Sequence, residues 1–422
     1  MPVKMDQVFD CINGLLEKTM LHYYLGRQPI FDGQLNLNAY ELLYRSGEMN
    51  SAHPSDGDVA TSNVLLNAFM EMGFDKVVGE HRAFVNLTRK FIVEDGILPP
   101  SSKQLVLEIL EDQRVDKELL DGVMRLRNQG YIIALDDFVF EEQYRSLIEL
   151  ADIIKIDLRA LTQKEVLEHV ALLRQYPVKL LAEKVETPEE FEWCRECGFD
   201  LFQGYFLCKP KVLKGRRMPA NRLNTMRMLA KLQETGVEIK ELEGIVSEDV
   251  TMSYKLLRYI NSAAFSLGKK IESIRHAIVY LGLREVKHWA SMVAISSLDD
   301  KPDELMTTSL VRAKMCELLC NFSGQGNRGT AFMVGLFSCL DAMMDQPLEV
   351  LLEELPLSDE IKNALLRQTG AYADMLHNTL SYERGDWEDL ECQSIDENDI
   401  SEIYLQAIDW ANQTMRSMQA AD

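Results

Sequence analysis

The chain has 422 residues, 46% hydrophobic and 27% charged, with 45 basic against 67 acidic side chains and a net charge of -22. That length predicts two or three domains with full-sized cores, and that charge opposes loose association with nucleic-acid polymers or anionic lipid. No apolar stretch is long enough to cross a bilayer, and Met1-Pro2-Val3-Lys4-Met5-Asp6 lacks the blocks of a signal peptide, so a cytoplasmic location without membrane insertion is expected.

The first apolar run starts near Tyr23, turns at Asp32-Gly33 and resumes as Ala39-Tyr40-Glu41-Leu42-Leu43-Tyr44. Asp-Gly between two such runs is a hairpin signal, so the first two strands are expected to be antiparallel. Strand and helix patterns then alternate. Candidate strands are Ala83–Leu87, Leu105–Leu110, Tyr131–Asp136, Ile153–Asp157, Val178–Glu183 and Phe199–Gln203. Between them, Lys117–Asn128 carries Leu119, Leu120, Val123 and Leu126 on one helical face, with Gly130 as a stop. This rhythm implies right-handed parallel crossovers, and hence a β/α barrel whose first strand is antiparallel.

Glu41, Asn86, Glu108, Asp136, Asp137, Asp157 and Glu183 fall at the ends of these runs. A single acid there is usually a turn or cap residue. Repeated on successive parallel strands, such residues form a rim of oxygen donors at the barrel mouth where active sites lie. Hard divalent cations need such oxygens, and metals are the usual partners of phosphate esters, so a metal-dependent phosphodiester site is expected. Thr187 as N-cap, Pro188 at the first helical position and Glu190 at the third predict a capping box that leaves Glu183 and Glu186 in a strand-to-helix loop on the catalytic face.

Strand signals fade after Pro210, and the basic, turn-rich Lys211–Arg217 marks the boundary between residues 1–212 and 213–422. From about Asn221 the pattern is helical throughout, which predicts a compact all-α second domain. The 20 methionines at helical spacing read as gap-filling core, and the acidic stretch Glu388–Asp399 as a solvated face. The eight cysteines show no framework spacing and are read as reduced thiols; Cys194-x-x-Cys197 lies on the helix after Thr187 and serves packing, because no second pair completes a ligand set.

Taken in order, Tyr40-Glu41-Leu42-Leu43-Tyr44-Arg45, Val85-Asn86-Leu87, Leu107-Glu108-Ile109-Leu110-Glu111, Ala134-Leu135-Asp136-Asp137-Phe138, Lys155-Ile156-Asp157, Ala182-Glu183-Lys184-Val185-Glu186-Thr187 and Gln203-Gly204-Tyr205-Phe206 resemble the EAL family of cyclic di-GMP phosphodiesterases across roughly residues 20–210. The segments Leu256–Ala263 and Ile274–Gly282 resemble an HDOD domain. HDOD domains are similar to HD-type metal phosphohydrolases without their metal-binding histidines. Here Gly335-Leu336-Phe337-Ser338-Cys339-Leu340 stands where those enzymes carry His-Asp, so the second half is expected to be non-catalytic.

The resemblance implies a TIM-like barrel of EAL type that hydrolyses cyclic di-GMP to linear pGpG. It implies that Glu41, Asn86, Glu108 and Asp136 hold one Mg²⁺ or Mn²⁺, with Asp137 and Glu183 at a second. It further places Lys155 beside the metal-bound water or the phosphate, with Asp157 holding its ammonium, and makes Glu183 the proton acceptor. Glu186 and Gln203 contact the substrate, Arg45 pairs with a phosphate oxygen and Gln28 meets a guanine base. A homodimer, and an unidentified protein partner reached through the HDOD half, are further family-based expectations.

Two departures bear on activity. The family's Gly-Thr-Gly-Tyr-Ser-Ser loop after Asp-Asp-Phe is replaced by Val139-Phe140-Glu141-Glu142-Gln143-Tyr144-Arg145-Ser146, which loses both glycines. Leu42 also replaces the alanine of the name-giving motif, a size change able to shift Glu41. A weak or conditional phosphodiesterase is one reading. The others are a catalytically inactive cyclic di-GMP-binding module signalling through the HDOD half, and a protein-interaction scaffold that keeps an ancestral pocket.

Overall fold

A computed structural model describes residues 23–46, 77–94, 98, 104–111, 113–138, 144–209, 220–234, 236–247, 256–257, 260–261, 271, 273–296, 298, 301–386, 389–390 and 397–419. The expected boundary segment Lys211–Arg217 and the altered loop from Val139 to Gln143 lie outside these residues.

Eight strands close into one barrel in the order β1 to β8: β1 Tyr23–Asp32, β2 Leu37–Ser46, β3 Arg82–Leu87, β4 Leu105–Ile109, β5 Ile132–Leu135, β6 Ile153–Asp157, β7 Lys179–Glu183 and β8 Leu201–Gln203. Strand β1 is antiparallel to both β2 and β8, and the remaining pairs are parallel. The expected antiparallel start is therefore correct, but the hairpin is built differently from a tight Asp-Gly turn. The Asp32 carboxylate accepts from the backbone N–H groups of Gln34 and Asn36 at 2.8 and 2.9 Å, and Leu35 takes the left-handed φ of 65°. An Asx turn organises this loop, and Gly33 is not in the left-handed region.

Helices between the strands follow their sequence signals. They are α1 Arg89–Val93, α2 Lys117–Asn128, α3 Arg145–Ile148, α4 Gln163–Leu173 and α5 Pro188–Cys197. Asp116 caps α2 by accepting from Leu119 N–H at 3.0 Å, and Leu119, Val123 and Leu126 are its buried stripe. Thr162 and Glu165 form a reciprocal capping box on α4. On α5, Thr187 accepts from Glu190 N–H at 3.1 Å, whereas the Glu190 carboxylate reaches back to Glu186 N–H at 2.9 Å.

Strand periodicity sorts side chains into two layers. Outward residues such as Tyr40, Leu42, Val85, Leu107, Ile133, Ile154 and Leu180 share one cluster with the helix stripes. Leu42 thus faces away from the barrel interior, and its extra volume is taken up on the opposite side of the strand from Glu41. Inside the barrel, Ile30, Ala39, Phe84, Val106, Ala134, Ile153, Leu181 and Leu201 form a separate apolar plug.

Beyond the barrel the described elements are helical, as expected: α6 Ala220–Gln233, α7 Ile239–Ser247, α8 Ile274–Leu281, α9 Leu283–Ser296, α10 Asp303–Ser323, α11 Arg328–Phe337, α12 Leu340–Met344, α13 Leu348–Glu354, α14 Asp359–Lys362, α15 Ala371–Arg384 and α16 Glu397–Gln419. They enclose a second core to which Met226, Met292, Met306, Met315, Met333, Met343, Met344, Met375 and Met418 contribute, in line with methionine as core filler. No described helix is long and apolar enough to cross a membrane.

Both α15 and α16 pack on β1. At that junction Tyr40 Oη donates to Glu304 Oε2 at 3.0 Å, and the Arg27 guanidinium lies 4.2 Å from the centroid of the Tyr40 ring.

Candidate active site

The site follows from the apolar plug by counting two residues along each strand. From Ala39, Phe84, Val106, Ala134, Ile153, Leu181 and Leu201 the next inward positions are Glu41, Asn86, Glu108, Asp136, Lys155, Glu183 and Gln203. On the antiparallel β1 the count runs backwards from Ile30 to Gln28. Eight strands therefore deliver one ring of polar side chains above a sealed apolar floor. Cross-strand register sets Gln28 opposite Glu41 and Asn86 opposite Glu108, whereas on β6 it is Asp157, one inward step beyond Lys155, that stands opposite Glu183.

Glu41, Glu108 and Asp136 are buried, and each offers a carboxylate oxygen within 4.8 Å of the others. Lys155 stands among them with its side chain fully enclosed. Its ammonium lies 2.6 Å from both Glu108 Oε1 and Asp136 Oδ1, 2.9 Å from Glu183 Oε1 and 3.5 Å from Glu41 Oε1. Burial alone depresses the ammonium pKa, but Glu108, Glu41, Glu183 and Asp136 outweigh it and hold Lys155 well above its ordinary value. Glu108 is pushed well up by burial and by the neighbouring Glu41 charge, against the pull of Lys155. Burial also raises Glu183 to about 8, with Lys155 opposing.

One ammonium does not saturate this set. Glu108 Oε2 and Glu183 Oε2 are buried and accept no hydrogen bond among the described residues. Buried carboxylate oxygens in that state are costly unless a cation meets them, so the donor set fits a hard divalent ion.

Gln203 fixes the Glu41 end of the ring. Its amide Nε2 donates to Glu41 Oε2 at 2.6 Å and to Gln28 Oε1 at 3.0 Å. The following residue, Gly204, has φ 145°, and a Cβ there would fall 2.1 Å from Val185 O, so only glycine lets β8 approach the loop after β7.

Other expected site residues lie off this ring. Asp157 does not hold Lys155: its Oδ2 pairs with Lys184 Nζ at 2.5 Å and its Oδ1 accepts from Arg159 N–H at 2.6 Å. The reason is that β6 ends at Asp157, one full inward step above Lys155, where four closer acids already surround the ammonium. Asp137 is exposed, with φ 46°, and Lys184 has φ 57°; two non-glycine residues in the left-handed region at strand ends mark local backbone strain at the mouth. Glu186 is 59% exposed and lies 3.5 Å from Arg159. Arg45 pairs with Tyr24 in the β1–β2 ladder, and its side chain is outside the described residues.

Sequence reasoning missed the cover over Gln28. Gln28 Nε2 donates to the Arg384 carbonyl at 3.2 Å and to Tyr205 Oη at 3.3 Å, while Tyr205 Oη donates to the Glu383 carbonyl at 3.1 Å. The C-terminal end of α15 is thus linked to Glu41 through Gln28 and Gln203. Tyr205 stood in the quoted Gln203–Phe206 segment, but nothing in the sequence signals a contact spanning 356 residues.

In the helical half, Ser338 and Cys339 face the Arg312 guanidinium at 3.4 and 3.1 Å, and Arg312 Nη2 pairs with Glu383 Oε1 at 2.6 Å. A buried guanidinium thus lies against the Gly335–Leu340 segment and is paired with Glu383. Cys194 and Cys197 are free thiols; Cys194 is enclosed, and burial pushes it up to about 12, as suits a packing role.

Comparison with known proteins matches the EAL domain over residues 76–210 and the HDOD domain over residues 218–349. The chain is 34% identical over 410 residues to the cyclic di-GMP phosphodiesterase CdgJ of Vibrio cholerae, covering 95% of each protein. It belongs to the EAL–HDOD family. The uncharacterized protein YuxH of Bacillus subtilis is likewise 34% identical over 409 residues, covering 94% of this chain and 99% of YuxH. The probable cyclic di-GMP phosphodiesterase PdeB of Escherichia coli is 34% identical over 116 residues, 25% of this chain and 22% of PdeB. In this EAL–HDOD protein the matched EAL segment contains every ring residue except Gln28 and Glu41, which lie on the strands before it.

Proposed function

We propose that the barrel hydrolyses cyclic di-GMP to linear pGpG with Mg²⁺ or Mn²⁺, two ions per site, in cyclic di-GMP signalling. The observation that carries this reading is the ring of oxygen donors around Lys155, with buried carboxylate oxygens that no hydrogen bond among the described residues satisfies. Glu41, Asn86, Glu108 and Asp136 would hold one cation, with Asp137 and Glu183 at the second. Bound divalent ions supply charge neutralisation at phosphate oxygens and an acidified water. The chain's own residues do the rest. Lys155 balances the acids and meets phosphate charge, and Glu183 would accept the proton released by the attacking water. Gln203 orients Glu41, while Gln28 and Arg45 engage the nucleotide. The buried apolar floor excludes water from below. CdgJ, a phosphodiesterase over nearly the same length, supports the assignment.

A second reading is a cyclic di-GMP sensor without turnover, favoured by the Arg384 carbonyl that already engages Gln28. Incubation of the full chain with cyclic di-GMP and Mn²⁺, with chromatographic detection of pGpG, tests the first reading against an Asp136→Asn control. Equal traces from both proteins would reject hydrolysis, and calorimetric binding of the dinucleotide without turnover would establish the sensor.

A further inference from the structure

A cavity of about 340 Å³ opens in the helical half between α9, α10, α11 and α16, and none of its lining residues belongs to the barrel ring. That volume is within the range of small-molecule sites. Its walls combine aromatic surface with positive charge. Trp289, Phe332 and Trp410 supply the aromatic part: the two indoles lie edge to face at 6.5 Å, and Phe332 meets Trp410 edge to face at 5.9 Å. His288 stacks beside Phe332 at 6.2 Å. Gly329 makes room for that imidazole, because a Cβ there would fall 2.1 Å from His288 Cε1.

Three cations and two acids line the same space. Lys314 pairs with Glu317 at 2.8 Å and lies 5.4 Å from the centroid of the Trp410 ring, and Arg284 sits 3.8 Å from Glu285. Arg328 is left with no ion pair among the described residues. A net positive, aromatic-lined cavity stands out in a chain whose net charge is -22.

We propose that this cavity binds a small planar aromatic anion, with its ring against Trp289, Phe332 and Trp410 and its acidic group on Arg328. A flat π-system gains from edge and face contacts with these rings, and guanidinium donates paired hydrogen bonds to carboxylate or phosphate. The acidic group belongs to an aromatic carboxylate or to a nucleoside monophosphate.

Calorimetric titration of the full chain in EDTA tests this with indole-3-acetate and guanosine 5′-monophosphate as anions, and with indole, guanosine and inorganic phosphate as controls. Saturable binding of either anion is expected, and which of them binds identifies the acidic group. Arg328→Ala, at an exposed position, should weaken that binding about tenfold or more, as expected for loss of a charge-assisted hydrogen bond. Binding should also change tryptophan emission, since two of the chain's 4 tryptophans line the cavity. Three results would each overturn the proposal: neither anion binds, the uncharged ring or bare phosphate binds equally well, or Arg328→Ala leaves the affinity unchanged.

Discussion

Replacing Lys155 by Met removes the only ammonium inside the described ring while keeping an unbranched side chain of similar reach. Three carboxylates then lose ion pairs of 2.6 to 2.9 Å, and Glu41 loses one of 3.5 Å. Breaking a buried pair from one side costs about 3–5 kcal/mol, because the remaining charge is left unpaired. For a domain of this size that corresponds to a fall in melting temperature of roughly 6–20 °C. The sign with pH follows from the acids. Glu108 and Glu183 are raised in the folded state, Glu183 to about 8, and without Lys155 both rise further. A raised carboxyl contributes stability that is present below its unfolded value and lost as pH climbs through the folded value. The Lys155→Met penalty should therefore be small at pH 5 and fullest at pH 8 and above. Mn²⁺ should recover part of it, about 2.7 kcal/mol at a hundred times its dissociation constant. Differential scanning fluorimetry of parent and variant at both pH values, in EDTA and in Mn²⁺, measures all three effects. A variant that melts with the parent at pH 8 in EDTA would refute the electrostatic account of the ring.

Further outcomes follow from the junction and from the chemistry. Burial raises Glu304 to about 7, against the pull of Arg27 and Tyr40, so its contribution is full below about 4.5 and lost as pH rises to about 7. That interval corresponds to about 3 kcal/mol at most; Glu304→Gln should raise the melting temperature at pH 8 and leave it nearly unchanged at pH 4.5, and a shift of equal size at both would show that the carboxyl does not titrate there. Glu183→Gln should lower turnover of cyclic di-GMP at least about a hundredfold while leaving substrate affinity within a few-fold, as measured by initial rates and calorimetry; unchanged rates would remove Glu183 as proton acceptor. Tyr205→Phe deletes the bond to the Glu383 carbonyl, costing about 1 kcal/mol. If α15 acts on the site through Gln28, the same variant changes KM or kcat; intact kinetics would confine Tyr205 to packing.

Much of the barrel was legible because each strand writes its two layers into alternate residues. Leu42 beside Glu41, or Ile154 and Ile156 around Lys155, shows the pattern directly, and helix α2 carries its buried stripe in the sequence. The acids were legible as strand ends, but their partners were not. Which carboxylates surround Lys155 depends on barrel closure, which brings β2, β4, β5 and β7 around β6. The family resemblance implied Asp157 as the lysine's partner, yet the closed barrel gives that place to Glu108, Asp136 and Glu183 and turns Asp157 to Lys184. The Asp32 turn failed in a smaller way, since a side-chain carboxylate did the work expected of Gly33. The links from Gln28 to Arg384 and from Tyr40 to Glu304 join the two halves of the chain and leave no local pattern at all.

In the proposed site, Glu41, Asn86, Glu108 and Asp136 converge on a divalent cation. Calorimetric titration of Mn²⁺ into the full-length protein and into Asp136→Asn, side by side, tests it most directly. Saturable binding to the parent that is lost or at least about tenfold weaker in the variant is the predicted result. No binding to the parent, or the same isotherm from both proteins, would contradict it.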